Sequence, residues 1–228
     1  MNHDLMSASS GHSGAGVSRR RVMVGGAIAG LAGSLGFSAL TQSPAQAQSR
    51  SGSIFRSRAA ANDIGILNGA LYYEHQAIWA YSAAAGGLSD TDVGKAVLAI
   101  ALANQADHMA HRDVLSQVIT NLGGSPVMAM DSYDLSAYLE RGDGGLDSDV
   151  NIAKLALALE TDAAIAYTSE VARLQTPELI TAGATIAAAE ASHATTIRAA
   201  FISLGIDIPF VPAPFVSAET RDQWVLKV

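Results

Sequence analysis

Apolar residues recur at three-and-four spacing in four stretches of the chain, each long enough to predict a buried-face helix. The first spans about 62–85, with Ile64, Leu67, Leu71, Glu74, Ile78 and Tyr81 on one stripe, and Gly86-Gly87 stops it. The second spans about 90–121, opened by Ser89 with Asp92 three residues on, a capping-box-like start, and closed by Gly123-Gly124. Its predicted core face carries Leu98, Ala101, Gln105, His108, Arg112, Leu115 and Ile119. The third spans about 150–174 behind the capping cluster Asp147-Ser148-Asp149. The fourth opens at Thr176-Pro177, an N-cap followed by proline at the first helical position, and ends at Gly205. Its stripe is Gly183, Ile186, Glu190, His193, Ile197, Phe201 and Leu204.

Charged and imidazole side chains on such stripes need an explanation, because a buried carboxylate must find a partner or a metal ion. Glu190-Ala-Ser-His193 puts an acid and an imidazole one turn apart on one face. A lone pair of this kind is common by chance, but the chain repeats it. Gln105-Ala-Asp-His108 aligns under Glu190-Ala-Ser-His193, sharing the alanine and the histidine. Leu71-Tyr-Tyr-Glu74-His-Gln-Ala77-Ile-Trp-Ala80-Tyr81 aligns under Leu157-Ala-Leu-Glu160-Thr-Asp-Ala163-Ala-Ile-Ala166-Tyr167, sharing Leu, Glu, both Ala and Tyr. The chain therefore reads as two helical hairpins, each with an acid on its first helix and a [Glu/Gln]-x-x-His on its second.

In the order Glu74, Gln105-x-x-His108, Glu160, Glu190-x-x-His193, the sequence resembles the ferritin-like superfamily of di-iron and di-manganese bundles. The resemblance implies an all-α, ferritin-like four-helix bundle over 62–205 with one long crossover between its second and third helices. The stretch 125–149 is long enough for that crossover. It further implies that Glu74 and His108 serve one metal, Glu160 and His193 the other, and that Glu190 bridges. The cofactor expected from carboxylate and imidazole donors is iron or manganese, one or two ions per chain. Gln105 departs from the pattern: it stands where the family has a second bridging glutamate, and a neutral amide is a weaker ligand. Arg112, on the expected core face, could pair with Glu74 and replace a metal's charge. Around Glu74-His75-Gln-Ala77 and His111-Arg112-Asp113 the chain resembles an exported bacterial branch whose ligands are eroded.

Other polar residues carry plainer expectations. His75 is a surface or interface residue; His111, one turn beyond His108, could support the ligands, although a bystander is the plainer reading. Tyr81 and Tyr167 pack near the site with satisfied hydroxyls. Asp107 points away from Gln105, and the acidic run 143–151 lacks the glycine and final acid of a calcium loop.

Composition narrows the function. A net charge of -7 argues against a nucleic-acid partner, and zero cysteines exclude disulfides, thiolate catalysis and iron–sulfur ligation. No nucleophile elbow, dinucleotide fingerprint or P-loop is present. Residues 1–47 read as a twin-arginine signal: Ser18-Arg19-Arg20-Arg21-Val22-Met23, a Gly- and Ala-rich apolar stretch, then Ala45-Gln46-Ala47 as a cleavage site. The expected location is periplasmic or secreted, with no stable membrane insertion after cleavage. Residues 48–61 are expected to be flexible, and the Pro-rich apolar tail 206–228 to lie on the bundle or on a neighbouring subunit, a homodimer being the expected assembly. Two functions fit: a metal-dependent protein of the metal-handling or dioxygen- or peroxide-activating oxidoreductase type, or a metal-free, stress-associated bundle with a binding or structural role.

Overall fold

The computed structural model describes residues 50–228, with side chains from Arg58 onward; the expected signal peptide at 1–47 lies outside them. The described residues form six helices and no strand: α1 (Arg50–Ala85), α2 (Asp92–Asn121), α3 (Ser136–Glu140), α4 (Asp149–Val171), α5 (Pro177–Ser203) and α6 (Arg221–Trp224). None of them is long and apolar enough to cross a membrane.

The bundle is made of α1, α2, α4 and α5. Thr91 caps α2 through Gly94 N at 3.1 Å, and Ser148 caps α4 through Asn151 N at 3.2 Å. Proline at the first position opens α5. Gly123 at φ 85 and Gly205 at φ 89 close α2 and α5 in the left-handed conformation that ends helices. Ser89 does not cap α2 by itself; with Thr91 it grips Asp149 at the start of α4, its N–H 2.8 Å and its hydroxyl 2.6 Å from the carboxylate. The chain is helical from Arg50 rather than from Asn62, so the expected flexible arm 48–61 is largely helix. The alanines at 59–61 have the highest helix propensity and need no apolar stripe to hold it.

The topology follows from which ends meet. The Asp149 contacts place the α1–α2 turn beside the start of α4. Asn68 bonds Ser125 O at 3.2 Å and Val127 N at 2.8 Å, placing the chain that leaves α2 beside the part of α1 that precedes Glu74, away from the α1–α2 turn. The chain between 122 and 148 must therefore travel from one end of the bundle to the other. It does so over the outside of α1 and α4: Tyr133 stacks edge-on to Tyr72, and Leu135 packs with Ala80 and Leu155. His75 lies on this outer face with Nε2 3.2 Å from Val127 O. This is the single long crossover that the sequence implied.

Two apolar clusters fill the bundle on either side of its middle. Leu67, Leu71, Leu115, Ile119, Leu179 and Ile186 form one, and Val97, Ile152, Leu157, Ala194, Ile197 and Phe201 the other. The polar residues of the stripes are left between them. Buried Asp63 closes the far end, accepting from Gln175 N at 2.9 Å, Thr176 N at 3.1 Å and the Thr176 hydroxyl at 2.6 Å. The tail packs on the bundle, as its composition predicted. Buried Arg198 donates to Pro209 O and Trp224 O, and buried Asp143 holds Arg141, Arg221 and Lys227.

Candidate metal centre

Five of the six residues singled out in the sequence meet in the layer between the apolar clusters: Glu74 on α1, His108 on α2, Glu160 on α4, and Glu190 and His193 on α5. Glu74 Oε2 is 2.8 Å from His108 Nδ1, and its other oxygen accepts from the Tyr167 hydroxyl. Glu160 Oε1 faces His108 Nε2 at 3.3 Å and accepts from the Tyr81 hydroxyl and, at 3.2 Å, from Asn104 Nδ2. Its Oε2 is 3.1 Å from His193 Nδ1. Each tyrosine therefore holds the carboxylate of the opposite hairpin.

Gln105 is not part of the cluster. Its amide nitrogen donates to Ile78 O at 2.9 Å and to the Ser82 hydroxyl at 2.7 Å, along the α1–α2 seam. Arg112 also stays out, with Nε 2.8 Å from Asp113 Oδ1, so it neutralises no buried acid. The buried face of α2 runs through Val97, Ala101, Asn104, His108, Leu115 and Val118, one position round from the expected stripe. Both stripes share Ala101, His108, Leu115 and the buried Ile119, and three-and-four spacing alone does not separate them.

The rotated face brings in His111, whose Nδ1 lies 3.0 Å from Glu190 Oε1 and 3.7 Å from Glu74 Oε1. His108-x-x-His111 is thus the spatial counterpart of Glu190-x-x-His193. His111 matches His193, and His108 matches Glu190, the two residues common to both donor groups. The pairing was hidden because the first hairpin carries about one additional helical turn between its acid and this pair. Asp107, expected to point away from Gln105, accepts from His193 Nε2 at 3.0 Å, which leaves Nδ1 facing inward.

The donors fall into two overlapping sets, Glu74–His108–His111–Glu190 and His108–Glu160–Glu190–His193, each with its atoms within 4.8 Å of one another. Glu190 and His108 belong to both. The model of a ferritin-like domain matches residues 62–203, well over half of the chain. The chain belongs to the ferritin-like domain family. No curated protein matches it. The crystal structure of a conserved hypothetical protein from Mycobacterium tuberculosis is similar, with 24% identity and a TM-score of 0.53, over 69% of this chain and 99% of that one. That likeness supports the fold alone.

The electrostatics of this ferritin-like centre are those of a buried, balanced cluster. Burial pushes Glu74 up, but His108 and His111 outweigh it and hold the carboxyl at about 2. Burial likewise opposes the charge on Glu160, yet His108 and His193 keep it well below the ordinary carboxylate range. Glu190 goes the other way: burial raises it, and Glu160 adds to the rise against the opposing pull of His111 and His193. Against burial, the glutamates raise His108 well above its ordinary value, His111 to about 9 and His193 to about 10. Burial and the adjoining glutamates push both tyrosines well up, so they stay protonated and can donate.

One feature of the cluster is unsatisfied. Both Glu190 oxygens and His111 Nδ1 are buried without a hydrogen bond; Glu190 has only ion-pair approaches, from His111 Nδ1 at 3.0 Å, His193 Nδ1 at 3.4 Å and His108 Nε2 at 3.8 Å. A fully buried carboxylate left this way is costly. One cation in each donor set would satisfy these atoms, the first reaching His111 Nδ1 and Glu190 Oε1 and the second Glu190 Oε2, so the residues present fit metal ions.

Proposed function

We propose that the protein binds two transition-metal ions, iron or manganese, in the middle of the bundle. Glu74 and His111 hold one, Glu160 and His193 the other, with Glu190 and His108 shared. The observation that carries this is Glu190, fully buried, common to both donor sets and without a hydrogen bond on either oxygen. Three carboxylates with three imidazoles favour iron, manganese or zinc over magnesium or calcium.

Iron or manganese held there supplies electron-transfer chemistry toward dioxygen or peroxide, and we assign the protein to metal handling or oxidoreduction on that basis. The chain's own part is positioning and exclusion. Tyr81 and Tyr167 lock Glu160 and Glu74 in place, Asp107 orients His193, and the two apolar clusters keep water from both ends. Export by the twin-arginine route is part of the same proposal and rests on the Arg19–Arg21 motif. So is a homodimer, for which the exposed Phe210, Val211 and Phe215 of the tail offer an apolar surface.

Metal titration of the metal-free protein by calorimetry, with elemental analysis of the exported protein, tests the proposal. Two ions per chain are expected, falling to one in His111→Ala and in His193→Ala, while Gln105→Ala and Arg112→Ala keep two. No binding by the wild type refutes it and favours the metal-free bundle, which the charge balance of three glutamates and three protonated histidines permits.

A further inference from the structure

A cavity of about 530 Å³ opens between α1 and α4 and reaches the centre. Buried Glu74, His108, Glu160, Tyr81 and Tyr167 form its floor, while the exposed Glu170 and Arg173 pair with each other at its rim. Between floor and rim the walls are mainly small: Gly65, Gly69 and Ala77 on α1 face Ala163 and Ala166 on α4.

The glycines are the telling residues. Gly65 and Gly69 sit one turn apart inside α1, where glycine costs stability relative to alanine. Glycine inside a helix is commonly explained by close approach of a neighbour. Here the opposite holds: both are exposed at the mouth of the cavity, and a Cβ added to either would meet nothing within 4 Å. Neither glycine has a positive φ. Packing and backbone geometry thus require neither of them, and both border the cavity. Their effect is to widen a passage that ends on two carboxylates of the proposed centre.

We propose that this cavity is the substrate pocket of the centre, taking a neutral, mostly apolar organic molecule of drug size with one end against Glu74 and Glu160. Its volume lies in the range of small-molecule pockets, and its pattern of apolar walls with convergent polar groups at the bottom is theirs too. The rim arginine is already neutralised by Glu170, so nothing there selects an anionic ligand. The substrate role rests on the metal reading above; the existence of the pocket does not.

Titration of the metal-free full chain with the neutral fluorophore N-phenyl-1-naphthylamine tests the pocket. Saturable binding of one probe per chain is expected, weakened at least tenfold by Gly69→Leu and by Ala163→Leu from the opposite wall. The Gly69→Leu variant should melt no lower than the wild type, because leucine is the better helix former and has room. Absence of saturable binding, or equal binding by both variants, overturns the proposal. Sedimentation in the same buffer that showed a dimer broken by Gly69→Leu would assign the groove to a second copy and overturn it as well. A trifluoromethyl derivative of the probe then reports position by fluorine NMR. Its resonance should broaden in Mn²⁺-loaded protein and stay sharp in Zn²⁺-loaded protein. A bound probe left sharp by Mn²⁺ overturns the substrate role, and a chain that takes up neither ion fails the metal reading in its own titration while the fluorescence result stands.

Discussion

The place of His108 makes a sharp prediction, because sequence spacing and geometry disagree about where a fourth carboxylate belongs. If His108 occupies the second bridging position, His108→Glu restores a four-carboxylate site and Gln105→Glu does not. The donor atoms of each set lie within 4.8 Å of one another. A unit charge about 4 Å from a divalent ion gains about 8 kcal/mol at an effective dielectric of about 20, so about 16 for two ions. Three carboxylates at similar range return about 12 of this. The lost imidazole ligand and the burial of a further charge reduce the remainder, leaving an expected gain of about 1–3 kcal/mol, or roughly 10- to 100-fold in affinity for the second ion. The metal-free state should move oppositely. Four carboxylates then face two histidines, and its Tm should fall by roughly 2–4 °C per kcal/mol of added repulsion. Calorimetric titration with Mn²⁺ and thermal melts with and without metal read both effects. A His108→Glu protein that binds no more tightly, beside a Gln105→Glu protein that does, would falsify the register assigned to α2.

Other outcomes follow from the same contacts. His111 and His193 are raised to about 9 and about 10, so their contribution to metal-free stability is complete below about pH 6.5 and is lost as pH rises through 9–10; melts across this range should show the loss, and saturating Zn²⁺ should abolish it. Asp143 is held at about 2 by Arg221, Lys227 and Arg141 against its burial, so its contribution is present above about pH 4 and is lost on acidification toward 2. Asp143→Asn should accordingly cost about 1–2 kcal/mol at pH 7 and speed proteolysis of the tail around Arg221 and Lys227. Asp63→Ala removes three hydrogen bonds from the start of α5 and should destabilise by about 2–4 kcal/mol in urea, without changing metal stoichiometry.

Most of the bundle was legible because local signals marked it. Gly123 and Gly205 end α2 and α5 as helix-stop glycines do, Thr176-Pro177 opens α5, and 122–148 is too long for a hairpin turn. Glu74, Glu160, Glu190, His108 and His193 were legible because each breaks an apolar stripe. The register of α2 was not. Gln105-x-x-His108 matched Glu190-x-x-His193 in letters, including a shared alanine, while the spatial match is His108-x-x-His111. Periodicity fixes a face only to within about one residue, some 100° of helix, unless more apolar positions on that face decide it. Val97 and Val118 do decide it, and they favour the face with Asn104 and His111. Asp63 and Asp143 were invisible for another reason: their partners lie far along the chain, and no local pattern marks a carboxylate that will be stitched to a distant loop.

His108 among the buried donors also shapes the metal-free state. With three carboxylates and three imidazoles, the metal-free cluster balances its charge by holding protons on histidine, so burial alone does not force the bundle to unfold. Metal must then displace those protons, which sets a threshold on binding that falls as pH rises. Glu190 is the exception inside this balance, since neither of its oxygens has a hydrogen bond. Replacing it by glutamine removes a charge that burial and Glu160 disfavour, and the imidazole proton that balanced it can leave at the same time. Glu190→Gln should therefore raise the Tm of the metal-free protein by a few degrees while weakening both metal positions, since both donor sets use this residue. A structural carboxylate would behave in the opposite sense, losing stability on conversion to the amide. A metal-free Glu190→Gln protein that melts lower than the wild type, yet still takes up two ions, would show that Glu190 belongs to the packing of the bundle rather than to a metal.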